Sequence, residues 1–120
     1  MTQVNLATIR NLVDDYVHDR IVDMQREAQA VRWSLRELAR LAPGRSVEIR
    51  VPPYGAVQAI SGTTHRRGTP SAVVQTDGRT WLYLVAGELA WPDAVASGRV
   101  QASGERSDLS EYLPLFDVIA

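Results

Sequence analysis

Few residues in this 120-residue chain have side chains suited to acid–base or ligand chemistry, and the densest group is His65, Arg66 and Arg67. These residues lie in a polar loop bounded by glycines, where two guanidinium groups beside an imidazole suit charge-assisted hydrogen bonds to a phosphate or carboxylate. The sequence is typical of an ordinary solvated loop, and it is also consistent with a loop that binds an anionic head group. The other histidine, His18, falls in a helical pattern, where we expect a structural or exposed role rather than a metal ligand.

Composition excludes several kinds of catalytic and cofactor site. The chain has no cysteine, which removes thiol nucleophiles, disulfides and thiolate-bound metals. All 13 cationic residues are arginine, so neither a Schiff-base lysine nor a phosphate-loop lysine is available. Neither the nucleophile motif G-x-S-x-G nor the dinucleotide motif G-x-G-x-x-G occurs. We therefore expect a protein that binds rather than catalyses, with no cofactor and no metal.

Charge and hydropathy are those of an ordinary soluble domain. The formal net charge is −1, whereas dedicated nucleic-acid-binding proteins usually carry a marked basic excess. No apolar run approaches the ~18 residues needed to cross a bilayer, and no basic segment followed by an apolar run marks a secretion signal. These observations predict a cytoplasmic protein with no nucleic-acid partner and no stable membrane insertion, and residues 1–120 are expected to form a single domain.

The chain changes character at Pro43-Gly44, because all 8 glycines and all 6 prolines lie from this point onward. Residues 1–41 read as a helical arm of two helices, with a break between His18 and Asp23 where Asp19 or Asp23 would cap the second helix. Apolar residues through this arm form a series with heptad spacing: Val17, Ile21, Met24, Ala28, Val31, Leu35 and Leu38. The stripe could pack on another copy of the chain or on this chain's own sheet.

After the arm, the apolar period changes from 3.6 residues to 2, which indicates strands. We predict strands at 46–51, 56–60, 72–76 and 99–103, the first two forming a hairpin. A helix capped by Asp77 should end at Gly87, a short helix should begin at Trp91-Pro92, and a last helical turn should span 109–113. This order predicts an α+β domain with helices on one side of a mostly antiparallel sheet, whose core is residues 42–116.

Short stretches of the C-terminal part resemble the sterol carrier protein type 2 family. They include T-D at 76–77, T-W-L at 80–82 and V-x-x-x-G at 100–104. The closest likeness is to the sterol-carrier-like proteins of actinobacteria, in A-P-G-R-S-V-E at 42–48, V-P-P at 51–53, R-G-T-P at 67–70 and L-P-L at 113–115. The resemblance covers about residues 42–115.

This resemblance implies about five strands in a mixed sheet covered on one face by helices. It also implies an apolar tunnel between sheet and helices that holds a fatty acyl chain, sterol or similar lipid without catalysis. The residues whose positions suit the lining of such a tunnel also suit a filled core, and they are Ile49, Val51, Val57, Val73, Trp81, Leu82, Val85, Leu89, Trp91, Val95, Val100, Leu113 and Phe116. Trp81 and Trp91 are favoured, because each buries a large area and carries an N–H that needs a partner.

Two other functions are compatible with the same sequence. The heptad-like arm and the short segment after Leu115 favour a structural protein that keeps the fold without a tunnel and forms a homodimer through its N-terminal helices. Some members of the resembling family are fused to enzymes, which implies an accessory role to an enzyme by analogy. We expect binding of a lipid or other small apolar ligand to be the main function.

Overall fold

A computed structural model describes residues 2–62, 72–104 and 107–119, with side chains described from 5 to 117 within those ranges. The elements of this part of the chain follow in order: α1 (Thr2–Val17), α2 (Met24–Leu41), β1 (Val47–Val51), β2 (Gly55–Ala59), β3 (Ala72–Thr76), α3 (Gly78–Ala86), α4 (Trp91–Ala96), β4 (Val100–Gly104) and α5 (Leu115–Ile119).

The predicted break in the helical arm is confirmed. The break ends at Asp23, which has an extended backbone and caps α2. Its side chain accepts a hydrogen bond from the Gln25 amide at 2.8 Å. Asp19, the other candidate cap, instead lies in the left-handed region at φ 55° just after α1. The two helices are therefore separate elements joined by a sharp corner at residues 18–23.

The helical arm packs against the rest of its own chain. The C-terminal half of the heptad-like series, Val31, Leu35 and Leu38, is fully buried in the same core as the sheet. The N-terminal half of the series is exposed instead: Ile21 is 98% accessible and Met24 68% accessible. The apolar stripe thus divides into a buried part that covers the sheet and an exposed part at the α1–α2 corner.

The sheet is mixed, with strand order β2-β1-β3-β4. Strand β1 pairs with β2 in the predicted antiparallel hairpin and with β3 in parallel, and β3 pairs with β4 antiparallel. The α+β class and the mostly antiparallel sheet are confirmed. The sheet has four strands in the described part of the chain, against the expected number of about five.

Alternation along the strands places apolar residues on one face. Ile49 on β1 lies opposite Val57 on β2 and Val74 on β3, and this face is buried beneath the helices. Val73 and Gln75 occupy the opposite face of β3 and are only partly buried. One-sided helical cover leaves this outer face of the sheet to solvent.

Helix α3 is bounded as the sequence predicts. The Asp77 side chain accepts from the Thr80 amide at 2.8 Å and from the Thr80 hydroxyl at 2.9 Å. Gly87 ends the helix in the left-handed conformation at φ 84°. The caps fix both ends of a helix in which Trp81, Leu82 and the other central residues are buried.

The predicted last helix at 109–113 is wrong. This segment forms a turn, closed by a hydrogen bond from the Tyr112 amide to the Leu109 carbonyl at 2.9 Å, and α5 begins only after Pro114. Proline lacks an amide hydrogen and has a fixed φ, so it is suited to precede a helix as well as to end one. Burial of Leu109 and Leu115 on either side anchors the turn to the core.

Candidate functional site

The predicted lining residues divide into three groups. Five have no accessible surface and lie within the core: Ile49, Val51, Trp81, Leu82 and Val85. Six lie at or near the core surface, either buried with a small accessible area or partly buried: Val57, Leu89, Trp91, Val100, Leu113 and Phe116. The remaining two lie elsewhere, with Val73 on the outer face of the sheet and Val95 40% exposed on α4.

Trp81 already has a partner for its polar atom. Its indole N–H donates to the Ser34 hydroxyl at 2.8 Å, and that hydroxyl donates to the Val31 carbonyl at 2.9 Å. The indole therefore joins α3 to α2 inside the protein. This bond leaves no free N–H on Trp81 to orient a ligand.

Open space lies along α4 at the protein surface. Two adjoining depressions of about 430 Å³ and about 240 Å³ share Trp91, Pro92 and Ser110. We call them together the α4 groove. Its walls include four of the predicted ligand residues: Leu89, Trp91, Val95 and Leu113.

Small residues create the space in this groove. Between α4 and β4 the larger depression is lined by Ala96 and Ala102, whose methyl groups do not fill the gap. At the other end, Gly87 allows Pro114 to lie against the end of α3, since a Cβ built on Gly87 would be 3.1 Å from Pro114 Cγ. The groove thus lies between α4, β4 and the segment after β4, where short side chains leave space.

The polar groups of the α4 groove are concentrated on one side. Ser107, Asp108 and Ser110 line the larger depression, and the Ser110 amide donates to Asp108 Oδ1 at 2.8 Å. This backbone hydrogen bond holds the pKa of Asp108 below its usual value. Trp91, only 8% exposed, has no hydrogen-bond partner for its indole N–H in the described part of the chain.

A second groove crosses the outer face of the sheet. Its two depressions, of about 250 Å³ and 410 Å³, share Pro52 and Gln75. The charged groups there are already engaged: Arg50 pairs with Glu48 at 2.6 Å, the Asp77 carboxylate caps α3, and Arg99 donates to the Thr80 hydroxyl at 3.3 Å. The charged side chains of this outer groove are therefore already bonded within the protein and are less available to a ligand.

In a cluster centred on Glu27, two tyrosines have raised pKa values and their hydroxyls are already bonded to the carboxylate. The hydroxyls of Tyr16 and Tyr54 both donate to the Glu27 carboxylate, one to each oxygen. Burial raises the pKa of Tyr54 to about 12, with the Glu27 carboxylate adding to the effect, and the same causes raise the pKa of Tyr16 further. Arg79 lies over the rings of both Tyr16 and Tyr83 at 5.4 Å. Sequence reasoning missed this cluster, because its members are far apart along the chain.

Within 2–62, 72–104 and 107–119, no three His, Asp or Glu residues are grouped so that they could bind a metal ion. No helix among the described residues has the length and apolar character needed to cross a membrane. His65, Arg66 and Arg67, the predicted anion-binding loop, lie outside the described residues.

A protein-family model described as "Bacterial SCP ortholog" matches residues 23–115. The match includes the whole of the stretch from 42 to 115 that carries the sequence resemblance, and it extends toward the N-terminus to take in α2. No curated protein matches the chain.

Proposed function

The chain belongs to the bacterial sterol carrier protein family, and we propose that it is a non-catalytic module that binds a small apolar or amphipathic ligand in the α4 groove. The observation that carries this proposal is the pair of adjoining depressions beside α4, whose walls include Leu89, Trp91 and Leu113. Small-molecule sites are typically concave, mostly apolar and supplied with a few placed polar groups. The α4 groove has each of these features.

Two features favour the groove over the sheet–helix core as the ligand site. The core residues Ile49, Leu82 and Val85 have no accessible surface, and the polar atom of Trp81 is bonded to Ser34. Trp91 differs from Trp81, because it lines both depressions of the groove and its indole N–H has no partner in the described part of the chain. Trp91 therefore places a large aromatic ring in the wall of both depressions, whereas Trp81 lies wholly within the core.

The proposal is tested by filling the groove without disturbing the core. Ala102 is exposed on β4 and lines the larger depression, so Ala102→Trp should occupy the ligand's space. Ser103→Trp is the matched control, since Ser103 is exposed on the same strand but points to the opposite face of the sheet. The probe is Nile red, an uncharged apolar dye, followed by fluorescence and displaced by a long-chain alcohol.

We expect the dye to bind the unmodified chain and the Ser103→Trp variant alike, and Ala102→Trp to weaken binding at least ~10-fold. Native mass spectrometry of the freshly purified chain should also show a bound small molecule that Ala102→Trp lacks. Equal binding by both variants would place the ligand elsewhere, and no binding by the unmodified chain would refute the proposal.

A second candidate function is supported by the exposed α1–α2 corner. Val17, Ile21 and Met24 are accessible there, and they are the members of the heptad-like series that the chain does not bury. Their exposure supports the alternative in which the helical arm mediates a homodimer or another protein contact. Only three side chains remain for such a contact, which is much smaller than a stable interface requires, so ligand binding is the better-supported function.

A further inference from the structure

Two of the three segments that line the α4 groove carry charge of one sign, and the third, β4, contributes Ala102. Residues 87–98 and 107–117 contain five acidic residues and no basic residue: Glu88, Asp93, Asp108, Glu111 and Asp117. All five are exposed, and none forms an ion pair in the described part of the chain. The whole chain has a net charge of only −1, so the acidity of these walls is a local feature and not a property of the protein as a whole.

One of these acids lies in the groove itself. Asp108 lines the larger depression together with Trp91 and Val95, and no basic residue is present in the described lining of either depression. The hydrogen bond from the Ser110 amide favours the ionised carboxylate, so Asp108 is negatively charged at neutral pH. An apolar groove with a fixed negative charge at one side favours an apolar ligand with a positive end.

Resting on the function proposed above, we infer that the α4 groove selects cationic amphiphiles, long-chain amines in protonated form, and that Asp108 is the residue that determines this specificity. The alkyl chain would lie along Leu89, Val95 and Leu113, and the ammonium group would pair with the Asp108 carboxylate. The indole of Trp91 adds to the preference, because an aromatic ring attracts a cation placed over its face.

The same charge disfavours the other common class of amphiphile. A fatty acid or a phosphorylated lipid would bring a negative group to a groove whose walls are already acidic and whose described lining has no cation to receive it. A long-chain alcohol carries no charge and should bind with intermediate affinity. The expected order is therefore amine, then alcohol, then carboxylic acid.

Isothermal titration calorimetry tests this order with an amine, an alcohol and a carboxylic acid that share one alkyl chain, each below its micelle concentration. Asp108→Asn is the informative variant, because asparagine keeps the hydrogen-bonding shape and removes the charge. Asp19→Asn is the matched control: it removes the same charge from the exposed α1–α2 corner, away from the groove.

We expect the unmodified chain to bind the amine roughly ten-fold more tightly than the carboxylic acid, which is the size of effect that one partly exposed charge provides. Asp108→Asn should reduce this ratio about five-fold and leave the affinity for the alcohol unchanged, whereas Asp19→Asn should leave the ratio intact. High salt should reduce amine binding in particular, since exposed charge pairs are screened.

The outcomes separate the inference from the proposed function. Binding of all three compounds with equal affinity, tighter binding of the carboxylic acid, or an amine preference that survives Asp108→Asn would overturn the inference and leave the binding function standing. If none of the three compounds binds the unmodified chain, the function and the inference both fail.

Discussion

The indole N–H of Trp81 donates to the hydroxyl of Ser34 at 2.8 Å, and neither residue has accessible surface. The Ser34 hydroxyl in turn donates to the Val31 carbonyl, so both side-chain polar atoms of this buried pair have hydrogen-bond partners. The bond joins α2 to α3 through the interior, and thus ties the helical arm to the C-terminal part of the chain.

Ser34→Ala should destabilise the protein by about 2 kcal/mol, because it leaves the Trp81 N–H buried without an acceptor. The measurement is the free energy of unfolding from urea denaturation. Ser97→Ala is the matched control: its hydroxyl also bonds a carbonyl three residues earlier, at 3.1 Å, but the residue is exposed. We expect the control to change stability by less than about 0.5 kcal/mol, and equal effects of the two substitutions would contradict the role of the Ser34–Trp81 bond.

The two tryptophans show what the sequence could and could not predict about the site. Both were expected to line a ligand space, since each is large and carries one donor. The local pattern predicts that both are buried, but the partner of Trp81 is 47 residues away and its identity depends on how the helices pack. Of these two tryptophans, Trp91 is the one whose donor has no protein partner in the described residues.

Local signals predicted most of the fold. Caps at Asp23 and Asp77 and the glycine at 87 are short-range features, and the helices and strands begin and end near them. The parallel pairing of β1 with β3 joins strands that are distant in sequence, which alternation alone does not reveal. The helical turn predicted at 109–113 is misplaced, because the helix of this segment begins only after Pro114.

Much of the lining of the larger depression was not predicted, for a different reason. Ala96, Ala102, Ser107 and Ser110 line it, and small or weakly polar residues carry no periodic apolar signal. One signal was present in the sequence, namely the absence of any arginine from 87–98 and 107–117 in a chain that has 13. A local gap in basic residues is visible without a structure, but its position around a groove is not.

The tyrosines bonded to Glu27 predict a loss of stability at high pH. Burial and the Glu27 carboxylate raise the pKa of Tyr54 to about 12 from an ordinary value of 10.0, so the folded state favours the neutral phenol. The contribution of Tyr54 to the free energy of unfolding is fully present below its unfolded-state pKa of 10.0. It is lost as pH rises through its folded-state pKa of about 12. We expect the free energy of unfolding to fall by about 1 kcal/mol between pH 10 and 12 on account of Tyr54, with solvent screening allowed for.

Thermal unfolding at several pH values checks this dependence, with Tyr54→Phe as the comparison. The variant lacks the titrating phenol and should lose less stability across the same pH interval than the unmodified chain. Glu27→Gln should weaken the dependence without removing it, because burial is the larger cause of the raised pKa. A Tyr54→Phe variant with the full pH dependence would show that another group is responsible.

The exposed corner between α1 and α2 should contribute nothing to the stability of the monomer. Ile21 is 98% accessible, so Ile21→Ser should change the free energy of unfolding by less than about 0.5 kcal/mol, whereas Leu35→Ser, in the buried half of the same series, should cost several kcal/mol. Light scattering should show a monomer at micromolar concentration with and without Ile21→Ser. A dimer that this substitution dissociates would favour the oligomerisation function over the proposed one.

Gly87 should affect both stability and ligand binding, because it ends α3 and forms part of the α4 groove. Its backbone has φ 84°, which costs an L-residue about 1–2 kcal/mol, and an added Cβ would also approach Pro114 Cγ to 3.1 Å. Gly98 provides a control with a similar φ of 79° and nothing within 4 Å of an added Cβ. We therefore expect Gly87→Ala to be more destabilising than Gly98→Ala in urea denaturation, the difference being the contact with Pro114.

The same pair of variants links this contact to the groove. Since Pro114 lines the smaller depression with Gly87, a displaced Pro114 should weaken Nile red binding in Gly87→Ala at temperatures where the variant is fully folded. Gly98 lies outside the described lining of the α4 groove, so Gly98→Ala should bind the dye like the unmodified chain. Unchanged binding by Gly87→Ala would mean that the ligand occupies only the larger depression, beside Ala102 and Asp108.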